Sequence, residues 1–433
     1  MRYLAILLII AYGSLLSLRA FVWAACLYLW NNTFQPMVFA YRIGQLPVAS
    51  YVFLVLLFSY LHKFLNKSFR PRINFMVCMG GAFLGWLFIC SIMSSFQDVV
   101  WISYFEILKY IAPIMLISTG LCCYKDILLV SATLMLSVGV WSAQAGVKGL
   151  ASGVTTNMGI PFSQMSDNND FMAAAVGILP MLIYFWLNYR GKFQTLTKLF
   201  IFMMFILTLC AIVFSNSRGA VIGVIGAIVF YIIVVSKKKI RDLFMLLFFI
   251  LFTSFLLPQS FWERIETIDF SIKQQSESSA STRLNLMKSA FRCAREHPLF
   301  GVGPDSWIYV SEQYAETDSE PHSAYIKVAA ESGFVGASIF IALLVMTIKR
   351  LLSNRKRLMI DGNLALAKLS LALAMVLVCI AIPFTFLNQP YSEFLWAWLG
   401  VANAFLLLIS TEKNYVRLFP FDINEPNVNK EVL

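Results

Sequence analysis

Long apolar runs recur along this sequence and restrict what it can fold into. Eleven of them are about 17 to 25 residues long, which is the length of α-helix that crosses the hydrocarbon core of a bilayer. Apolar residues make up 59% of the 433, and charged residues only 13%. The runs do not alternate apolar with polar residues as the strands of a membrane barrel do. Because backbone polar groups in lipid must be satisfied within their own segment, the sequence predicts an all-α, polytopic integral membrane protein.

The runs predict the transmembrane spans, and the basic residues between them predict the orientation. The spans cover roughly 46–61, 73–95, 99–121, 126–146, 170–188, 198–216, 219–235, 243–260, 324–348, 364–387 and 394–410. Lys and Arg cluster near the ends of alternate spans, at 63–72, 190–198, 237–241, 349–357 and 413–417. The positive-inside rule assigns these clusters to the cytoplasm. Counting residues 3–38, split by Arg19, as one broken or re-entrant element gives about twelve spans with both termini cytoplasmic, whereas two spans there would give thirteen.

One polar segment, Phe261 to His322, interrupts the apolar pattern. It contains ten acidic and six basic residues, although the whole chain has a net charge of +11. A long loop without the basic bias is predicted on the non-cytoplasmic side, and the same rule explains the net charge without nucleic-acid binding. The predicted organisation is N-terminal transmembrane helices at 1–165, central ones at 166–260, the external loop at 261–322, C-terminal helices at 323–411 and a cytoplasmic tail at 412–433.

Within the external loop, the residues after Ser281 have the pattern of an amphipathic helix that ends near Pro298. Helical spacing produces an apolar face and a basic face, formed by Leu284, Met287, Phe291 and Ala294 and by Lys288, Arg292 and Arg295. This pattern predicts a helix lying at the membrane–water boundary. The helix is either a surface element attracted to anionic lipid, or a support that brings Arg283 and Arg292 to an anionic substrate.

Two further external motifs contain candidate binding residues. Arg218 lies in the tight hairpin 215–219 between two apolar runs, where an arginine is costly unless it reaches the interface or meets an anion. It is either an interfacial anchor or a phosphate-binding group, since guanidinium is a planar fork of donors that matches phosphate oxygens. Asp167, Asn168 and Asn169 open a span from the same side, where they either cap the helix or bind a sugar hydroxyl.

His322 lies where the external loop re-enters the membrane. The unperturbed pKa of histidine is near neutrality, which suits a general base, although a lone histidine is more often structural. Inside the span 99–121, the spacing of Glu106 and Lys109 predicts an ion pair that lowers the cost of burying either charge. The sequence contains no phosphate-binding loop, no glycosidase-like pair of carboxylates and no cluster of metal ligands, so no cofactor and no metal are expected.

These motifs, in this order, resemble the O-antigen ligase and polymerase superfamily of bacterial membrane glycosyltransferases. The resemblance covers about residues 165–410 and rests on the hairpin 215–219, Arg283, the run 297–304, the run 322–325, and Glu331-Ser332-Gly333 with Gly336. The N-terminal third is similar to the ligase branch, which includes O-glycosylation ligases. The usual His-Asn pair at the exit of the loop is His322-Ser323 here.

The resemblance implies about twelve spans and one large periplasmic loop in the bacterial inner membrane, with the active site facing the periplasm. It implies an O-antigen ligase that moves a glycan from undecaprenyl diphosphate to the lipid A–core oligosaccharide, without a metal and with inversion. Arg218 and Arg283 would hold the diphosphate, and His322 would be the base. An O-antigen polymerase and a protein O-oligosaccharide ligase remain alternatives. A secondary transporter, the alternative from another class, would need mid-span charges and an inverted repeat, for which Glu106 and Lys109 are the one hint.

Overall fold

The structure is a computed structural model that describes residues 2–39, 47–66, 71–152, 158–191, 193–215, 217–244, 247–248, 279–315 and 319–411. Its main helices are α1 (Arg2–Arg19), α2 (Phe21–Phe34), α3 (Val48–Leu65), α4 (Phe75–Met93), α5 (Gln97–Gly120), α6 (Tyr124–Ser152), α7 (Asn168–Asn188), α8 (Gln194–Phe214), α9 (Arg218–Val234), α10 (Ser279–Glu296), α11 (Trp307–Ala315), α12 (Ala324–Ile360), α13 (Leu364–Ala381) and α14 (Glu393–Thr411). A helical stretch also covers 239–244, and short 3₁₀ helices lie at Pro36–Phe39 and Pro383–Phe386.

The described part of the chain confirms a polytopic, helical membrane protein. It contains ten helices long and apolar enough to cross a membrane, namely α1, α3 to α8 and α12 to α14. Most predicted spans begin and end within a few residues of these helices, and the span predicted at 99–121, for example, is α5; α6 and α12 extend further than predicted. The helix α9 is apolar but has only 17 residues. Most of the span predicted at 243–260 lies outside the described residues, so the total of about twelve stays a prediction.

Residues 3–38 form two helices that lie side by side. They meet at Ala20, whose backbone is extended, with φ −153° and ψ 134°. The chain folds back there, because a Cβ built on Gly13 would lie 3.2 Å from Leu27 Cδ1. Residues fourteen apart in one continuous helix would be separated by about 21 Å. The break predicted at Arg19 is therefore confirmed, and its two halves pack against each other rather than continuing end to end.

The centre of the bundle is formed by α7, α13 and α14. Trp396, Trp398 and Phe405 of α14 are completely buried, as are many smaller residues of α7 and α13. The helices α7 and α13 approach closely at Gly177, where a Cβ would come within 2.7 Å of Ile380 Cγ1. Burial on all sides explains why these helices show no polar stripe in the sequence. Because these central helices pack tightly, they fix the positions of the residues at their ends.

The helix α12 is longer than its predicted span and is interrupted near its start. It continues to Ile360, so the basic residues 349–357 extend the helix instead of forming a loop. Gly333 has φ 66° and ψ 179°, which breaks the helix into 324–332 and 334–360. Only glycine adopts such a positive φ readily. The break lies at the end of the bundle where the external loop rejoins the membrane helices.

Candidate active site

The Arg218 hairpin is bound to the polar motif at the start of α7. Asn168 Nδ2 donates to the carbonyl of Ser215 at 3.0 Å, and Ser217 Oγ donates to Asn169 Oδ1 at 2.9 Å. Arg218 is the first residue of α9 and its side chain is half-buried. The side chains of Asn168 and Asn169 therefore hold the Arg218 hairpin in place, a role that neither predicted interpretation, helix cap or sugar binding, included. Residue 216 lies outside the described residues.

His322 lies between the external loop and α12, in contact with another loop. Its φ is 51°, in the left-handed region that non-glycine residues adopt at a cost and that is enriched at functional sites. Its Nδ1 lies 3.2 Å from Asn388 Nδ2. Burial lowers the pKa of His322, the positive charge of Arg283 lowers it further, and the carboxylate of Asp167 opposes both. The ring is therefore held neutral to lower pH than an exposed histidine.

The predicted catalytic residues come together at one end of the bundle. Arg283 and Asp167 both act electrostatically on His322. Asp167 is the N-cap of α7 and accepts from the backbone N–H of Asn169 at 2.7 Å, which joins it to the Arg218 hairpin. On the far side of that hairpin, a Cβ on Gly219 would lie 3.7 Å from Phe386 Cβ, two residues before the histidine's partner Asn388. Segments far apart in sequence thus meet at this end of the bundle, around His322 and the Arg218 hairpin.

Arg283 is carried by α10, which packs on two other helices through a face of small residues. The buried residues of α10 are Leu286, Ser289, Ala290, Cys293 and Ala294, which face α11 and α12. Of the predicted apolar face, Leu284 and Phe291 remain about half exposed. The predicted position of α10 at the membrane–water boundary stays a prediction. Leu284 and Phe291 form a second apolar edge, and Phe291 meets Phe334 of α12 edge-on at 6.1 Å between ring centroids.

Arg292, also predicted to bind substrate, is engaged elsewhere. Its Nη2 donates to the carbonyl of Tyr314 in α11 at 3.4 Å, and the side chain is exposed. Ser289, one turn earlier, donates to the same carbonyl at 2.9 Å. Arg292 thus lies on the α11 side of α10, and its predicted contact with substrate stays a prediction. The two arginines of α10 therefore lie in different environments, Arg283 near His322 and Arg292 against α11.

The glycine-containing run 297–304 holds the external loop against the broken helix. The break at Gly333 frees backbone groups in α12, and three of them bond to the run: Val302 N donates to Ala330 O at 3.0 Å, Gly303 N to Glu331 O at 2.9 Å and Phe334 N to Pro298 O at 2.8 Å. Gly303 has φ 111° and passes close to Ser94, the C-cap of α4, where a Cβ would come within 2.6 Å of the hydroxyl. These family motifs therefore have a structural role, which is docking the loop.

A buried lysine makes a second connection between the loop and α12. Lys327 Nζ lies 2.8 Å from Asp305 Oδ1, 2.9 Å from Glu320 Oε1 and 3.8 Å from Glu331 Oε1. The Lys327 side chain is only 6% exposed and that of Glu331 is 0% exposed. Tyr391 donates to the other oxygen of Glu331 at 2.9 Å. Two of the acidic residues of the external loop, Asp305 and Glu320, are therefore paired with this buried lysine.

Sequence reasoning missed Asn388 and the partners of Lys327. Asn388 lies in a short polar run, residues 388–393, that was treated only as an external turn. Lys327 was counted inside an apolar span without a partner. The available signal was the presence of one lysine and one glutamate, four apart, near the start of that span. Among the described residues, no cluster of three or more His, Cys, Asp or Glu could hold a metal ion.

A comparison with known protein families finds the same family as the sequence motifs. Residues 203–341 match the family model described as O-antigen ligase (Wzy_C), and this segment includes Arg218, Arg283 and His322. Residues 1–191, which include Asp167, Asn168 and Asn169, match a family of unknown function (DUF5935). A search of curated proteins found no match. The resemblance inferred from the motifs is thus confirmed: the chain carries an O-antigen ligase family domain, preceded by a DUF5935 region.

Proposed function

We propose that this protein is an O-antigen ligase that transfers a glycan from undecaprenyl diphosphate to the lipid A–core oligosaccharide at the periplasmic face of the bacterial inner membrane. The observation that carries the proposal is the convergence of His322, Arg283 and the Arg218 hairpin at one end of the bundle. The family match supports glycan transfer of the ligase or polymerase type and a lipid-linked glycan as substrate. The family match does not specify the acceptor, and the lipid A–core acceptor is our proposal.

The two arginines would stabilise the leaving group. As the bond between the anomeric carbon and the diphosphate oxygen breaks, its electron pair stays on the diphosphate. Cations already oriented in a partly desolvated site stabilise that developing charge without reorganisation. Arg218 and Arg283 are both half-buried, so each can reach solvent-exposed phosphate while its stem packs on protein. In this proposal the arginines supply the charge that a divalent metal supplies in other transferases.

His322 would take the proton of the attacking acceptor hydroxyl. The oxygen then forms the new glycosidic bond on the face opposite the diphosphate, which inverts the anomeric centre. A base must be neutral before it acts, and burial together with the charge of Arg283 lowers the pKa of His322. The same arginine would thus serve the leaving group and keep the base unprotonated.

Asn388 would determine which ring nitrogen is the base. Among the described residues, Asn388 Oδ1 is buried without a hydrogen-bond partner, while Nδ2 faces His322 Nδ1. A half-turn of the amide would let Oδ1 accept from Nδ1–H, which satisfies the orphaned oxygen and leaves the Nε2 lone pair free. Asn388 is a positioning residue in this scheme, because it acts on the substrate only through His322.

The test is transfer activity of purified variants with matched controls. Arg218→Ala, Arg283→Ala and His322→Ala should each abolish transfer without changing protein levels. Arg295→Ala and His297→Ala are the controls, since both side chains are exposed in the same loop, and both should transfer normally. Normal transfer by the three site variants would refute the assignment.

A gene deletion read on a lipopolysaccharide gel separates the acceptors. Loss of all O-antigen indicates a ligase, whereas retention of a single repeat unit indicates a polymerase. An unchanged ladder together with an under-glycosylated protein indicates a protein O-oligosaccharide ligase. Only the first result agrees with the proposed acceptor.

A further inference from the structure

A large cavity with both polar and apolar lining residues lies on the N-terminal side of the bundle. Its volume is about 1350 Å³, more than the roughly 300–1000 Å³ of sites for drug-sized ligands. It is lined by the end of α2, the start of α3, the middle of α5, the loop before α7 and the start of α14. Except for the α14 residues, the lining belongs to the DUF5935 region.

Two charged residues in the middle of a membrane helix line this cavity. Lys109 and Glu106 form the ion pair predicted from their spacing, and their side chains are 65% and 49% exposed. Both lie near the centre of α5. Charged side chains at this depth normally face a polar interior or a water-filled space, and they mark functional sites. The pair therefore indicates that the cavity receives a polar ligand.

The other polar groups of the cavity are held in order by a chain of hydrogen bonds. Asn31 Nδ2 donates to Asn32 Oδ1 at 2.9 Å, and Asn32 Nδ2 donates to Glu393 Oε1 at 2.7 Å. The backbone N–H of Glu393 donates to Gln164 Oε1 at 2.6 Å. Asn32 and Gln164 are only half-buried, so they retain groups that can meet a ligand. Such ordering lowers the entropy cost of binding.

Although most of the lining is apolar, its polar groups fit a saccharide better than a phosphate. Among the described lining residues Lys109 is the only cation, and it is already paired with Glu106. Side-chain amides, carboxylates and hydroxyls match the donors and acceptors of sugar hydroxyls, and the rings of Tyr110 and Phe162 offer apolar faces. A lipid chain has a better place in a separate apolar crevice of about 540 Å³ between α7, α8, α9 and α13.

Two segments connect the cavity to the catalytic groups. Gln164 lies three residues before Asp167, and Glu393 lies five residues after Asn388. The bond between Glu393 and Gln164 ties these segments together at the cavity wall. We propose that the cavity binds the saccharide part of the acceptor and presents its hydroxyl to His322. This inference rests on the proposed function and assigns the acceptor side of the reaction to the DUF5935 region.

The test uses the full chain in lipid nanodiscs and three probes in calorimetric titrations. The probes are core oligosaccharide freed of lipid A, repeat-unit oligosaccharide released from the donor, and undecaprenyl diphosphate without sugar. One variant, Ala112→Trp, fills the cavity from a half-buried position on α5. A double variant, Glu106→Gln with Lys109→Met, removes both charges without leaving one unpaired. Asn403→Leu is the control, because Asn403 is a buried amide of α14 outside the cavity lining.

Core oligosaccharide should bind the wild-type protein, and both cavity variants should weaken it at least about tenfold, as expected for losing a hydrogen bond to a charged group. Affinity for undecaprenyl diphosphate should stay unchanged in both, and the control should bind all probes as the wild type does. In transfer assays the KM for acceptor should rise while the KM for donor holds.

Equal binding of core oligosaccharide by wild type and cavity variants, or no binding by the wild type, would overturn the proposal. Weaker binding of the repeat-unit oligosaccharide alone would place the donor sugar in the cavity and overturn the acceptor assignment. The proposed function is judged separately, by whether Arg218→Ala and Arg283→Ala weaken binding of undecaprenyl diphosphate.

Discussion

Replacing Lys327 by methionine tests how the external loop is held in place. The substitution keeps the length of the side chain and removes its charge. Three carboxylates, those of Asp305, Glu320 and Glu331, lose their shared cation. Glu320 lies two residues before His322, so its release should also loosen the candidate base. We therefore expect loss of both stability and transfer activity.

The magnitude follows from the burial of each partner. The pair with Glu331 is fully buried, and removing one member of such a pair costs about 3–5 kcal/mol. Asp305 and Glu320 are 52% and 33% exposed, so each of their contacts adds about 1 kcal/mol or less. The expected loss is therefore about 4 kcal/mol, most of it from leaving the buried Glu331 carboxyl without its cation.

The assay is reversible unfolding by SDS in mixed micelles, which measures the free energy of unfolding directly. Lys288→Met is the matched control, because Lys288 is an exposed lysine of α10, and it should unfold like the wild type. A double variant, Lys327→Met with Glu331→Gln, removes the buried charge but keeps an oxygen that accepts from Tyr391. It should recover about 2–3 kcal/mol of the loss. The reasoning is refuted if the single variant is as stable as the wild type, or if the double variant recovers nothing.

Three further predictions concern the site and the helix break. Because the pKa of His322 lies below the ordinary 6.5, the acid limb of the kcat/KM–pH profile of the wild type should lie below pH 6.5. In the inactive Arg283→Gln variant, the titration of the His322 ring followed by NMR should move to higher pH, and an unmoved titration would show that Arg283 does not act on this histidine. Asn388→Leu should lower kcat by about tenfold to a hundredfold with little change in the KM for donor, and an unchanged kcat would remove Asn388 from the scheme. Gly333→Ala forces alanine to φ 66° against the Leu299 carbonyl, so unfolding should become easier by at least about 1–2 kcal/mol, and equal stability in the SDS assay would contradict the strain argument.

Much of the membrane architecture was predictable because each span is a local property of the sequence. The length and apolarity of a run place a helix to within a few residues, as for α5 and α13. The helix α12 extends beyond its predicted span for a local reason. Lys, Arg and Leu are good helix formers, so the helix continues through its basic end. The packing face of α10 was not predictable in the same way, since it depends on the shape of α12 rather than on hydrophobicity.

Residues of the candidate site were likewise predictable where a local sequence pattern marks them, and not where a tertiary contact defines their role. Arg218 and His322 were predicted as site residues because polar groups at the ends of apolar runs stand out, and Arg283 because it lies at the start of an amphipathic helix in the external loop. Asn388 did not stand out, because its contact with His322 joins residues 66 apart in sequence. The role of Asn168 in holding the Arg218 hairpin also depends on a contact across 47 residues. Pairings of this kind depend on the tertiary fold and leave no periodic signal.

The helix break at Gly333 has a consequence for how such a loop can diversify. The loop is attached there through main-chain groups, which every amino acid except proline carries in full. Exposed side chains in 306–315 can therefore be exchanged without loosening the attachment, provided that the glycines and the packing of buried residues such as Trp307 and Val310 persist. We expect the exposed surface of the loop to tolerate extensive substitution on an unchanging anchor, much as antibody loops vary on a constant framework.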